Sequence, residues 1–316
     1  MEQLKKRLMQ TWPRHALYLI ILLFFVPHPS FGKDLLRFGV LPVVDTLPLL
    51  VGQNAGTFSD QGIDLELVSF QSALERDAAL QAGKLDGYFG DILNTLLLIQ
   101  SGQPVKILTT AFHTHPGHRM FGIAAAPGSE INRIEQLKGK DIAISRATII
   151  EYVLDTLLRS LNLPSDYMTK QEIKKMPIRL QMLLSSQISA ALLPEPLLTL
   201  AESKGAQVIK DDRQLDVCLT VLAMDMTRTA DKPRLPERFL NAYAAAVAKI
   251  NEDPESYKQM MIARTRFPMP VKDLYKVPVF PETGPPAEKD IMATQDWLVQ
   301  NGLLKEKIPY GQVVCR

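Results

Sequence analysis

Three of the five histidines, His113, His115 and His118, fall within six positions, and Arg119 follows at once. Imidazole both ligates metals and changes charge near neutral pH, so two chemistries are open to such a run. A metal centre needs more donors than this. No Asp, Glu or Cys stands beside the run, and Pro116-Gly117 turns the chain sharply between the rings. We therefore assign no metal and no cofactor. The expected role is a connecting loop from which His115 reaches a ligand and makes its binding sensitive to pH.

Other polar residues recur at one kind of place, a short turn between an apolar run and a helix start. They are Pro42 and Asp45, Ser72 after Gln71, Gly90 with Asp91, the run Ser145, Arg146, Ala147 and Thr148, and Glu195 after Pro194. Unpaired N–H groups and the positive end of a helix dipole favour anionic or strongly polar groups in such turns. Arg146 adds a planar guanidinium suited to a carboxylate, sulfonate or phosphate. Each turn also has a local reading. Ser72 with Glu75, and Thr148 with Glu151, have capping-box spacing, so Glu151 is expected to close its own helix. Asp91 suits an N-cap, and Asp45 a turn that satisfies its own backbone. No phosphate loop, nucleophile elbow or H-E-x-x-H pattern occurs. No catalytic residue is assigned, and the chain is not expected to be an enzyme.

The elements that must position these turns alternate. Strand-like runs at 36–41, 63–70, 85–89 and 104–110 are separated by helical patterns, with Pro48 in a first turn and Gly56 and Gly83 at helix ends. This β-α-β rhythm predicts a mostly parallel sheet. A second unit with the same rhythm starts near Arg119: strands at 120–126, 141–144, 188–193 and 206–210, with helices entered near Thr148, Pro177 and Pro196. The helix after Thr148 repeats Ile149, Ile150, Val153, Leu154, Leu157, Leu158 and Leu161 on one face, leaving Glu151, Asp155 and Arg159 largely on the other. The apolar run 217–224 reads as a return strand, and the remainder is mainly helical. The expected fold class is α/β, with one lobe from 33–118 plus 223–316 and a second from 119–222. Two chain crossings would then form a hinge.

Composition fits a folded chain: 316 residues, 46% hydrophobic and 22% charged. Lys5, Lys6, Arg7 and Arg14 precede an apolar run from Ala16 to Val26, then Pro27, Pro29, Ser30 and Gly32. This predicts a signal peptide over residues 1–32, cut near Gly32, and a periplasmic mature protein. Its removal takes away four Lys/Arg and one Glu, turning the formal charge of +2 into −1, which gives no electrostatic case for nucleic acid. Cys218 and Cys315 could pair in an oxidising compartment or stay thiols, and spacing leaves both open.

Several ordered blocks carry a family resemblance: LRFGVLPVVDTLPLLVGQNAGTFSDQGIDLELVSF, ALQAGKLDGYFGDILNTLLLIQSGQPVKIL, LKGKDIAISRATIIEYVLDTLL, ISAALLPEPLLTLAESKGAQVI and DWLVQNGLLKEKIPYGQVV. From about Leu35 to the C-terminus the chain resembles periplasmic substrate-binding proteins of ABC importers. The branch is the NMT1-like or SsuA-like one, which carries nitrate, sulfonates, taurine or thiamine-precursor pyrimidines. The resemblance implies a type II periplasmic-binding fold with a small polar organic ligand or oxyanion held between two lobes. It also implies a monomer that delivers its ligand to an ABC permease and its ATPase. The mixed charge of Asp45, Asp91 and Glu195 against Arg146 and the histidines favours a zwitterionic or neutral heterocyclic ligand. Two alternatives share the fold. A biosynthetic enzyme of the pyrimidine-precursor type would resemble its family in a cysteine-rich motif, which is absent here. A secreted sensor would use the same closing cleft.

Overall fold

The computed structural model describes residues 33–315; the signal peptide expected over residues 1–32, and its cut near Gly32, lie outside them. Ten strands form two five-stranded sheets. The first sheet holds β1 (Asp34–Val40), β2 (Ile63–Ser69), β3 (Gly87–Gly90), β4 (Val105–His113) and β10 (Cys218–Asp225) in the order β2-β1-β3-β10-β4. The second holds β5 (Phe121–Ala125), β6 (Asp141–Ile144), β7 (Thr169–Glu172), β8 (Ala190–Pro194) and β9 (Gln207–Asp211) in the order β7-β6-β8-β5-β9.

Each sheet is parallel but for one strand, and that strand is the first one after a crossing. β10 runs antiparallel to β3 and β4, and β5 antiparallel to β8 and β9. The register explains why. β4 leaves the first sheet at His113, and β10 enters it at Cys218, paired with that same residue. In the second sheet β5 enters at Phe121 opposite Pro194, the last residue of β8, and Gly122 pairs with Asp211, where β9 leaves. Both crossings therefore join carboxyl edge to carboxyl edge, so a chain passing between sheets must enter the next one in reverse. The mostly parallel sheet expected from the rhythm accommodates this one reversed strand in each lobe. The crossing back is also complete at Cys218, ahead of the boundary expected at residue 222, because β10 pairs with β4 from Cys218 to Asp225, and with β3 from Val221 to Met224.

The crossings are tied together at both ends. The Thr114 hydroxyl donates to the Leu215 carbonyl (2.7 Å), and the Thr114 and Val217 backbones bond at 3.0 Å. At the other end Asp212 accepts the Met120 and Phe121 N–H groups at 2.9 and 3.1 Å. Burial raises the Asp212 pKa to about 7.

The helices form where the pattern places them. α1 (Leu47–Ala55) carries Pro48 in its first turn, and its C-cap Gly56 takes φ +78°, a left-handed conformation that glycine adopts without steric penalty. α2 is Thr57–Asp60, α3 is Ala73–Gln81 and α4 is Ile92–Gln100. α5 (Ile149–Ser160), α6 (Met176–Leu184) and α7 (Leu197–Ser203) serve the second sheet. α8 (Leu235–Glu252), α9 (Lys258–Arg264), α10 (Glu288–Gln300) and α11 (Tyr310–Val313) follow the return strand.

α5 departs from its expected two-faced character. Val153, Leu154 and Leu157 are fully buried, each contributing on the order of 1.5–3 kcal/mol. Yet Glu151 and Asp155, expected on the solvent face, are each only 6% exposed. Trp297 of α10 meets Asp155: its indole Nε1 donates to that carboxylate at 2.9 Å, and its ring meets Tyr152 edge-on. Lys170 of β7 supplies the charge, 2.6 Å from Asp155 and 3.1 Å from Glu151. β7 itself (TKQE) has too little apolar character to be read from sequence; it is an edge strand paired only with β6.

Candidate functional site

The carboxyl edges of the two sheets face each other across the crossings, and parallel α/β sheets bind ligands at that edge. On the first sheet, Pro42 lies half-buried in the turn after β1, and Asp45 sits in the short 3-10 turn Val44–Thr46, 5% exposed. The Thr220 hydroxyl of β10 donates to the Asp45 carboxylate at 2.8 Å. Burial raises the Asp45 pKa to about 6, with the Thr220 hydrogen bond opposing. Beside it α8 brings in Tyr243, whose buried hydroxyl has no hydrogen-bond partner among the described residues.

Asp91 caps α4, accepting the Asn94 N–H at 2.7 Å, and burial raises its pKa. Gly90 is required by packing: a Cβ there would lie 2.8 Å from the Tyr88 ring. Ser72 caps α3 and accepts the Glu75 N–H at 3.3 Å, while Glu75 reaches back to the Gln71 N–H at 3.1 Å. The local readings of Ser72 and Asp91 thus describe bonds they make.

The turn after β6 is more occupied than its sequence suggests. Thr148 caps α5, donating to the Ser145 carbonyl at 2.8 Å and accepting the Ile150 N–H at 3.2 Å. Glu151 accepts the Ala147 N–H at 2.8 Å, so that donor, expected to stand open, closes the turn. Ala147 is left-handed at φ +57°, which costs an L-residue about 1–2 kcal/mol. Arg146 does not converge on the cleft. Its guanidinium donates to the Lys170 carbonyl at 2.9 Å along the β7 edge, and 52% of its side chain is exposed.

A different arginine lies beneath the turn. Arg179 of α6 is fully buried and donates to Ser145 Oγ, Ile173 O and Leu192 O. No carboxylate among the described residues pairs with it, and burial alone lowers its pKa to about 10. Sequence reading missed it; the one hint was a lone arginine in the otherwise apolar helix MPIRLQMLL.

Glu195, beyond β8, is buried and already paired: Arg119 Nε donates at 2.6 Å and the Thr199 N–H at 3.1 Å. Arg119 also binds Glu202 at 2.6 Å.

The histidines separate. His115 is exposed and accepts the Gly117 N–H at 3.0 Å within its own turn, so it does not reach inward as expected. His113 Nδ1 lies 3.0 Å from the Thr114 carbonyl. His118 is the inward ring, with Nε2 3.0 Å from the Tyr275 hydroxyl and the two rings edge to face. Burial, then the charges of Arg119 and His115, lower its pKa to about 4, so it is neutral where a free histidine titrates. Burial instead lifts two carboxyls, Asp45 to about 6 and Asp212 to about 7. No group of three or more His, Cys, Asp or Glu suited to a metal occurs among the described residues.

Burial raises the Tyr275 pKa, and the charges of Glu195, Asp45 and Asp212 raise it further. An open groove of about 500 Å³ is lined by Pro116, Arg119, Glu202, Lys210, Asp211 and Arg213. Its charges are internally matched, with Arg213 2.7 Å from Asp211 and Arg119 2.6 Å from Glu202. Cys218 is buried behind the site, 3.8 Å from Thr110 Oγ1 and 3.6 Å from the Thr220 carbonyl, and burial pushes its thiol pKa up.

Comparison with solved structures supports the fold. The periplasmic aliphatic sulphonate binding protein SsuA of Escherichia coli matches with TM-score 0.75 at 16% identity, covering 89% of this chain and 97% of that one. The ligand binding component of an ABC-type import system from Staphylococcus aureus, solved with zinc bound, matches with TM-score 0.72 at 18% identity, covering 90% and 97%. The desulfurization enzyme DSZB matches with TM-score 0.66 at 16% identity, covering 90% and 96%. These likenesses assign the periplasmic-binding-protein fold. A sequence comparison with curated proteins finds no match. The sequence model described as NMT1/THI5 like matches residues 44–257, a span that takes in Asp45, both crossings and the whole second sheet, and the chain belongs to that family.

Proposed function

We propose that this protein is an extracytoplasmic solute-binding protein, which captures a small polar molecule between two lobes and delivers it to an ABC permease and its ATPase. The observation that carries this reading is that buried polar side chains stand at the carboxyl edges of both sheets, Asp45 on the first and Ser145 and Glu195 on the second, with His118 of a crossing 3.0 Å from the Tyr275 hydroxyl. The first lobe is taken as 33–118 with 218–315, and the second as the residues between the crossings. Closure follows from linkage: a solute touching both lobes has differential affinity for the closed state and shifts the population towards it. The mechanism uses no covalent step. Cys218, buried and with its thiol pKa raised, is a poor thiolate nucleophile.

Export and cleavage near Gly32 belong to the same proposal, as does a monomeric state. The kinship of similar structures named for import and for sulfonate binding supports it. The test is to express the full chain with its own N-terminus, isolate it from the periplasm, unfold it gently and weigh what is released. The expected result is about one small molecule per chain, recovered unchanged after prolonged incubation with fresh protein. Conversion of that molecule into a product would overturn the reading in favour of an enzyme.

A further inference from the structure

Two charges at this site lack opposite charges of their own. Asp45 is 5% exposed, and its carboxylate is held by a neutral hydroxyl, Thr220 Oγ1 at 2.8 Å, with no Lys, Arg or His within ion-pair distance among the described residues. The Tyr243 hydroxyl, in a residue 1% exposed, has no hydrogen-bond partner among the described residues, and burial, then the Asp45 charge, raises its pKa. A buried polar group left unmade is costly, and a buried carboxylate without a cation more so. Such groups persist where a ligand completes them. Across the crossings the sign reverses. Arg179 is a fully buried guanidinium with no carboxylate partner among the described residues, its donors spent on Ser145 Oγ and two carbonyls under the Ser145–Thr148 turn.

We infer that Asp45, Thr220 and Tyr243 form a subsite for the nitrogen end of the bound solute, an ammonium, amidinium or amine N–H. The inference rests on the solute-binding reading and adds the substrate class. The carboxylate accepts the N–H of the solute, Thr220 holds the other side of that carboxylate, and the Tyr243 hydroxyl oxygen takes a second N–H. An anionic or acceptor group at the far end of the same solute lies towards the Ser145 turn, where Arg179 supplies uncompensated positive potential. The carboxylates of Glu195 and Asp91 do not compete for the nitrogen. Glu195 is neutralised by Arg119 at 2.6 Å, and Asp91 is engaged in capping α4.

The test compares two probes that differ only in the nitrogen, taurine and ethanesulfonate, by isothermal titration of the full chain, of Asp45→Asn and of Tyr243→Phe. The wild type is expected to prefer taurine by at least about ten-fold, roughly one charge-assisted hydrogen bond. That preference is expected to vanish in Asp45→Asn and to shrink in Tyr243→Phe, with circular dichroism of both variants unchanged. Equal affinity for the two probes, or a preference that survives Asp45→Asn, overturns the subsite. In parallel, the solute released from periplasmic protein is identified by mass. A nitrogen-bearing molecule carried by wild type and lost from Asp45→Asn supports the inference. A nitrogen-free molecule overturns it while leaving solute binding intact, and a chain that releases nothing and binds neither probe overturns both.

Discussion

Replacing Asp45 by Asn should make this protein more stable above pH 6, the opposite of what loss of a hydrogen-bonded side chain ordinarily does. Burial lifts the Asp45 pKa from 3.8 to about 6. The folded state therefore binds its proton more tightly than the unfolded chain, and stability falls as pH rises through that interval. About two units at 1.36 kcal/mol each places the penalty at neutral pH near 3 kcal/mol, and with the group 5% exposed little of it is screened. Asn keeps the acceptor for the Thr220 hydroxyl at no charge. Urea denaturation of both proteins from pH 4 to 8 gives the test. The difference in unfolding free energy should be small at pH 4, grow between pH 4 and 6, and level off at about 2–3 kcal/mol in favour of Asn. Asp212 titrates in an overlapping range but is present in both proteins, so it cancels in the difference. A difference that stays flat with pH would show that Asp45 is not a buried, uncompensated carboxylate, and the nitrogen subsite would lose its physical basis.

Other residues give independent checks. Ala147→Gly should stabilise the fold by about 0.5–1 kcal/mol in the same denaturation assay, because glycine takes φ +57° without the Cβ clash. Trp297→Phe keeps the ring but removes the indole donor to Asp155; a loss of about 1.5–3 kcal/mol is expected, since that bond serves a buried carboxylate. Asp212→Asn leaves one acceptor where the Met120 and Phe121 N–H groups need two. Its crossing should exchange amide hydrogen faster at those positions above pH 7, while wild type moves towards the same behaviour as acid protonates Asp212.

The turns at the strand ends were legible in the residues, while most side-chain directions were not. Capping was readable because it is local: Ser72 bonds Glu75 and Asp91 caps its helix through Asn94, while Thr148, read as boxed with Glu151, caps through Ile150 and Glu151 closes on Ala147 instead. Arg146 and His115 were misjudged because direction decides them. One lies along the β7 edge and the other folds into its own turn, while Arg179 and His118 take the inward places. Asp155 looked like a solvent-facing residue until Trp297, far along the chain, covered it.

What the sequence determined by itself is the alternation of apolar runs and capped helices, and hence two α/β units whose turns gather at strand ends. Periodicity and capping act over a few residues, so they can be read in one dimension. Only tertiary structure decided that both crossings join carboxyl edge to carboxyl edge, and that Asp45 and Arg179 are each buried without an opposite charge among the described residues. Burial and charge pairing depend on residues far apart in the chain, such as Thr220 for Asp45 and Ser145 for Arg179. No local pattern encodes which distant partner arrives, or that none does.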